Sequence, residues 1–573
     1  MRMSVGSFTE NSEEQTFEVI VVGAGPVGLV SAIQLGRAGI KTLLLERRAK
    51  FSTHPKAGGI HARTMEIYRE LGLSKLILES GVNRNGALTI GWMTSLTGIE
   101  IGTISIGATE EERERFHLWS PETMVSCSQD IYEPLLAEAV RQYPSVELRL
   151  ACEATSIEQS DDWVDIGYSS AGGQKAARAR YVIGTDGVRS PTRQRLGIDE
   201  SGVEPFGNSI NVLFNAELEP YRAGRDYGLF WVLNAKTQGA FAWKRGNYWS
   251  YNFTVPPGED PASYSPERCI ELIRAGVGVP DVSINVVSIL HWKLEQAVTD
   301  QWRAGRVFLA GDASHRFPPH GGFGMNSGVQ DSQNLIWKLV ARLRWSAGDK
   351  LLDSYEPERK PIAQYNGEQC LLNTRRMAAM GGPQKNLSEL AKIETPEGEA
   401  LREKIRSSVP AQREQILSQG QQFGQMYSSS AMIDDGTPSE ESTVSVYRPT
   451  GHPGARAPHV WLEDGENGRR STIDFYNGGF ILLVARDGDR WLAAADSAAE
   501  STDAPLSAFR IGGPDCMQRS GDPRWEEIVG VDPTGALLIR PDGYVAARWR
   551  SLPESPVSAL THALQTVLDI QIS

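Results

Sequence analysis

Chemistry is concentrated where apolar, β-branched runs of the sequence end in glycine and an acid. The first such run, Phe17 to Val22, leads into Gly23-Ala24-Gly25-Pro26-Val27-Gly28. Gly23 permits a tight turn, Gly25 lets the backbone approach a pyrophosphate, and Gly28 lets the helix that follows pack on the strand. That helix, expected over Val27 to Arg37 with Pro26 at its entry, directs free N–H groups and the positive end of its dipole at phosphates. The next run, Lys-Thr-Leu-Leu-Leu-Glu, ends in Glu46 and Arg47. The Glu46 carboxylate suits ribose hydroxyls and repels a 2′-phosphate, so the site takes FAD or NAD and excludes NADP.

Two further segments repeat the device. Tyr181 to Ile183 runs into Gly184, Asp186 and Gly187, followed by Arg189 and Ser190. Arg306 to Ala310 runs into Gly311 and Asp312, then Pro318, Pro319, Gly321, Gly322 and Gly324, then a long helix starting near Asn326. Val329, Ile336, Leu339, Val340 and Leu343 give that helix an apolar face. NAD in a dehydrogenase is handled by one continuous domain, whereas an extended FAD needs anchoring at the adenosine, the pyrophosphate and the ribityl-isoalloxazine end. Asp186 between two glycines also reads as an ordinary turn residue.

Together, Gly23-Gly25-Gly28, the Asp186 segment and the Gly311-Asp312 segment resemble the signature motifs of the class A flavoprotein aromatic monooxygenases. This is the family of para-hydroxybenzoate hydroxylase and phenol hydroxylase. The resemblance implies bound FAD, NADPH or NADH as a visiting co-substrate without its own fingerprint, and O2. It implies hydroxylation of a phenolic or polyketide-like aromatic substrate through a flavin C4a-hydroperoxide, in secondary metabolism. By resemblance Asp312 serves the ribityl and pyrophosphate region, and Asp186 serves FAD and NAD(P)H. Arg63 is expected at the pyrophosphate, Gln129 at the ribityl chain, and Gly322, Gly324 and the main chain of Met325 and Asn326 at the flavin ring. The main-chain carbonyl of Pro319 is expected nearest the reacting oxygen. Trp243, Arg245 and Tyr251 are the candidates for holding the substrate. His54, His61, His315 and His320 all lie near motifs, and none is assigned as the general base. Baeyer–Villiger oxidation on the same scaffold and a non-catalytic flavin-binding protein are the alternatives. A flavin halogenase is disfavoured because its W-x-W-x-I-P signature is absent.

The elements that must position these residues need several domains, since 573 residues exceed one ordinary core. The expected fold class is α/β: a Rossmann-like FAD-binding domain, an inserted antiparallel-sheet substrate domain and a C-terminal thioredoxin-like domain. Residues 1–16 are expected as a disordered tail. Residues 17–395 are expected as the FAD-binding domain, interrupted by substrate-domain insertions at about 82–118 and 201–292. A helical linker follows over 396–445, and the thioredoxin-like domain over 446–573. The last lacks the C-x-x-C that redox chemistry needs, so it is expected to be structural or to make homodimer contacts. A net charge of −13 disfavours a nucleic-acid partner. The five cysteines show no metal-site spacing, no metal is expected, and no continuous apolar run suggests a membrane span. The expected location is the cytoplasm.

Overall fold

The computed structural model describes residues 15–84, 86–380, 387–463, 468–513, 516–518 and 521–570. Most of the expected N-terminal tail, residues 1–14, lies outside them. Gln15 and Thr16 are no part of a tail, since they open the first strand in register with Ala177 and Arg178.

That strand, Gln15–Val22, is the centre of a parallel array. Thr42–Glu46 and then Val146–Leu150 lie on one side, Gly173–Gly184 and then Val307–Leu309 on the other. From Val19 to Val22 the central strand is wholly apolar and buried, because helices cover one face and the antiparallel strands Glu153–Gln159 and Val164–Ser170 cover the other. Val22 pairs with Gly184 and Gly184 with Leu309, so the three motifs, far apart in sequence, leave the sheet side by side. Ligands of open α/β sheets bind at such carboxyl ends. The strand expected at Tyr181 to Ile183 is longer, Gly173–Gly184, because its first half pairs antiparallel with Val164–Ser170. Helices α1 (Pro26–Arg37), α2 (Ala62–Glu70) and α3 (Gln129–Arg141) belong to this domain.

The two insertions join in one eight-stranded roof. Leu88–Met93 pairs in parallel with Leu229–Leu233, which attaches the first insertion to the antiparallel strands of the second. Helix α4 (Pro266–Val277) closes the outer face of the roof with Cys269, Ile273 and Val277 packed on Ile210, Val212, Phe241, Tyr251 and Phe253. Ser265 caps its N-terminus by accepting the Arg268 N–H, and Gly278 ends it in the left-handed region.

Helices α5 (Phe323–Arg344) and α6 (Tyr355–Ala379) follow. The first is buried almost all round, because α1 packs on one side and the C-terminal domain on another. The expected helical linker is helical only in part, through Glu399–Ser408 and Gln419–Phe423, and residues 424–460 form neither helix nor strand. Glycine and proline at 451–458 explain the irregular stretch near the boundary.

In the C-terminal domain the strand order is Leu506–Arg510, Phe480–Val484, Ala536–Ile539, Val545–Trp549, with the first pair parallel and the others antiparallel. Helix α7 (Asp489–Glu500) makes the parallel crossover, and α8 (Pro556–Leu568) packs beside it. This is the topology expected of a thioredoxin-like unit. Its core is continuous with that of the first domain, with Phe480 edge-on to Trp337 of α5 at 5.9 Å. Among the described residues no helix is long and apolar enough to cross a membrane.

Candidate functional site

The motif glycines divide into those that pack and those that leave space. A Cβ on Gly23 (φ +104°) would lie 2.5 Å from the Thr185 carbonyl oxygen, and one on Gly28 only 1.9 Å from the Gly23 carbonyl oxygen. Thr185 ties the first two motifs together, its hydroxyl donating to the carbonyls of Val22 and Gly23. The third motif is pinned by Gly328, whose Cβ would meet Val27 Cγ2 at 2.6 Å and Gly311 Cα at 2.9 Å. Gly328 escaped the sequence reading; a glycine inside an apolar helical pattern is the signal that could have found it. By contrast, a Cβ on Gly25 or Gly324 would meet nothing within 4 Å. Both lie at helix N-termini, of α1 and α5, whose cap residues Gly25 and Gly322 offer no side-chain acceptor. Neither first turn carries an acid, so both positive ends face the cleft uncovered.

The acids have separate tasks. Glu46 is buried; its carboxylate accepts the Ala24 N–H at 2.9 Å and the Arg48 N–H and Nε at 2.9 and 2.8 Å. Burial raises its pKa, and Arg48 and Ala24 more than offset this, leaving it below the ordinary value. A carboxylate accepts about four hydrogen bonds, so one place remains for a ribose hydroxyl. Arg47, expected beside it, is exposed, and Arg48 is the residue that holds Glu46. Asp186 uses each oxygen once locally, on the Ser190 hydroxyl at 2.5 Å and the Thr192 N–H at 2.8 Å. It thereby organises the turn and the short helix after it.

Asp312 differs. Its carboxylate has no hydrogen-bond partner among the described residues and opens to solvent through the cleft. Protein surrounds it on the other sides and pushes its pKa up, against the pull of His315, Lys56 and Arg316. The turn that carries it is held by Asp331 of α5, which accepts from the Gly311 N–H at 3.2 Å, from His315 Nε2 at 2.7 Å and from Arg359 at 2.9 Å. Lys56 and Asp331 are further site residues that sequence reasoning missed, because nothing in either's local spacing places it near residue 312.

Arg63 is engaged within the protein. Its guanidinium donates to Glu66, Gln333 and the Asp542 carbonyl, the last in the C-terminal domain, and the residue is 3% exposed. It braces the domain junction. Gln129 begins α3 as expected, with its amide donating to Glu133. The Asn326 side chain stitches two loops, accepting the His61 N–H and donating to the carbonyls of Gly59 and Gly322. Met325 is half-buried beside it. His61 Nε2 meets the Gly321 carbonyl at 3.0 Å, and burial holds its pKa at about 4.

Strand parity decides the roof. Tyr251 and Trp243 lie on the outer face with α4; Tyr251 is fully buried and shares a hydrogen bond with Thr237, and the Trp243 indole N–H donates to the Gly246 carbonyl. Neither lines the cleft, which corrects two substrate assignments. Arg245 does point to the first domain, but it is 61% exposed and faces Asp130 at 3.9 Å. The inner face carries Asn211, Leu213, Trp231, Ala240, Ala242 and Asn252, the residues that alternate with the outer set along each strand and pair with one another across strands. His54 reaches this face from the floor, bonding Ser288 at 2.7 Å and Asn211 at 3.1 Å. At the other side Trp231 stacks on His320 at 6.2 Å. His320 is held by Thr374 at 2.9 Å, and burial takes its pKa to about 4. Pro319 is exposed, and its carbonyl closes the loop by accepting the Gly322 N–H at 3.0 Å.

The site therefore offers two uncapped helix ends, a backbone cradle at Gly25 and Gly324, a ribose-binding acid and an unpartnered carboxylate. That set fits an extended FAD. Comparison with known proteins agrees. A family model described as an FAD binding domain matches residues 16–369, and one described as an aromatic-ring hydroxylase C-terminal domain matches residues 450–570. Tetracenomycin A2 monooxygenase-dioxygenase of Streptomyces glaucescens is 34% identical, covering 96% of each chain. The 4-methyl-5-nitrocatechol 5-monooxygenase of a Burkholderia species is 32% identical, over 96% of this chain and 97% of its own. The crystal structure of the flavin-dependent monooxygenase PieE with FAD and substrate superposes with a TM-score of 0.89 at 30% identity, over 97% of this chain and 100% of that one. Aklavinone-11 hydroxylase with FAD and aklavinone gives 0.82 at 30% identity, over the same shares.

Proposed function

The chain belongs to the FAD-dependent aromatic-ring hydroxylases, and from that premise we propose that its substrate is a bulky phenolic or polyketide-like aromatic compound, oxidised with NADPH or NADH and O2. The observation that carries the substrate class is the inner face of the roof, where the small side chains of Ala240 and Ala242 share a face with Asn211, the partner of His54, and with Trp231, which stacks on His320. Relatives named for tetracenomycin, for aklavinone and as a polyketide hydroxylase support this substrate class.

Bound FAD supplies hydride acceptance from the nicotinamide and activation of O2. The protein's part is placement. Gly23, Gly25 and the N-terminus of α1 would hold the pyrophosphate, Glu46 the ribose, and Asp312 the ribityl region. The uncapped N-terminus of α5 would stabilise negative charge on the reduced ring. His61 and His320, with pKa values near 4, are neutral at neutral pH and act as hydrogen-bonding and stacking groups, not as acids. Roof and loop together would limit access of water to the ring. The same reading places the enzyme in the cytoplasm, with the C-terminal domain as a structural unit or a homodimer contact.

The test is NADPH consumption by the FAD-loaded protein with polycyclic phenols, with product structures determined. Faster consumption and a new ring hydroxyl are expected. Absence of stimulation across such phenols, or ring expansion in place of a hydroxyl, refutes the reading.

A further inference from the structure

The strand Gln238–Arg245 carries a bulge that leaves one cation of the roof without a partner. Trp243 pairs with Trp249 and Arg245 with Tyr248, so Lys244 is the extra residue. A bulge re-aims side chains, and it is common beside active sites. Here it turns Lys244 and Arg245 to the same side. Arg245 faces Asp130 on the floor, and Lys244 Nζ comes within 3.7 Å of where a Cβ on Gly58 would lie. Lys244 is half-buried and forms no hydrogen bond or ion pair among the described residues. Loss of surrounding water pushes its ammonium down to about 8, with Asp130 opposing.

The charged and titratable groups around it are His54 and Lys56 from the floor loop, Asp130 from α3, and Arg245 beside it. Asp130 keeps one buried oxygen without a hydrogen bond. The two lysines share His54, on which both act, and differ in their other partner: Lys56 acts on Asp312 at the cofactor end, and Lys244 interacts electrostatically with Asp130 beneath the roof. On the same face as Lys244 stand the small side chains of Ala240 and Ala242.

We propose that Lys244 binds the aromatic substrate by an ionised oxygen, a phenolate or the enolate of a vinylogous acid, which rests on the hydroxylase reading above. An oxygen held as its anion raises electron density on the ring carbons ortho and para to it. Attack on an electrophilic oxygen donor requires that density. The ammonium thus fixes both the orientation of the ring and its protonation state.

The test uses FAD-loaded protein titrated with 4-nitrocatechol, whose anion absorbs in the visible, and with 4-nitroanisole, which cannot ionise. Wild type is expected to bind the catechol as its anion. Lys244→Met should weaken that binding about 10- to 100-fold, the worth of a charge-assisted hydrogen bond, and Lys244→Arg should restore most of it. Binding of 4-nitroanisole and the FAD content should be unchanged in both variants. Wild type that leaves the catechol's ionisation unperturbed, or a Lys244→Met variant with undiminished anion affinity, overturns the proposal. So does a Lys244→Met variant that changes the flavin spectrum or FAD affinity alone, since the lysine would then serve the cofactor. Substrate-stimulated NADPH consumption with unchanged anion binding in Lys244→Met sinks only the lysine's role. Lysine-dependent anion binding without any NADPH consumption sinks the hydroxylase reading.

Discussion

Replacing Gly328 by alanine sets two effects of opposite sign against each other. In a helix interior glycine is worse than alanine by about 1 kcal/mol, so propensity alone predicts stabilisation. The packing predicts the reverse. The new Cβ would lie 2.6 Å from Val27 Cγ2 and 2.9 Å from Gly311 Cα, whereas carbon atoms rest at about 3.5–4.0 Å. Helix α5 must then part from α1 and from the Gly311-Asp312 turn by about 1 Å. Overpacking of this kind costs about 1–3 kcal/mol. Because all three pieces converge on the cofactor cleft, the loss should fall on FAD binding, as a rise in Kd of about 5- to 150-fold. Titration of apoprotein with FAD, followed by quenching of flavin fluorescence, measures it. Val27→Ala removes the nearer of the two clashing atoms, so the double variant should recover part of the affinity, a coupling that independent sites do not show. A Gly328→Ala variant with wild-type FAD affinity, or a double variant no better than the sum of the singles, refutes the argument.

Gly25→Ala should behave differently. Its φ of −73° suits alanine and no protein atom is near, so the apoprotein should unfold at the same or a slightly higher temperature while FAD affinity falls tenfold or more. Arg540→Met should destabilise the domain junction by about 3–5 kcal/mol, because it strips Glu358 and Asp542 of their buried guanidinium. Their carboxylates lie 2.7 and 2.5 Å from it and all three side chains are 0% exposed. Hydrogen exchange in α5 and in Ala536–Ile539 should show the opening, and unchanged protection counts against it. Acid should release FAD before global unfolding. The Glu46 pKa is lowered in the folded protein, so its contribution is present above the ordinary carboxylate range and is lost as pH falls through the lowered value. Glu46→Gln should flatten the decline of FAD affinity with acid.

Much of the cofactor site was legible before folding. Gly23, Gly25, Gly28, Glu46 and Asp312 each announce a local necessity: a turn, a close backbone approach or an acid at a strand end. Such necessities are written in neighbouring residues. The relation among the motifs was not, because only the pairing of Val22 with Gly184 and of Gly184 with Leu309 puts them in one row.

The substrate side shows the other limit. Alternation along a strand tells that two faces exist, but not which one receives a helix and which one the cleft. Helix α4 settled this by covering Tyr251 and Trp243, which leaves Lys244 inward, and a single bulge then turned Arg245 to the same side. Arg63 likewise reads as a ligand from its place at the start of a helix, yet its partners come from residues 333 and 542. By itself the sequence determined a dinucleotide-binding α/β unit and the glycines that make it possible, since these follow from short-range sterics and strand-end geometry, and the resemblance carried by its three motifs pointed to FAD and to the hydroxylase fold. Which charges are spent on the protein and which are left for a ligand was decided only by tertiary structure, because a buried ion's partner is set by long-range packing.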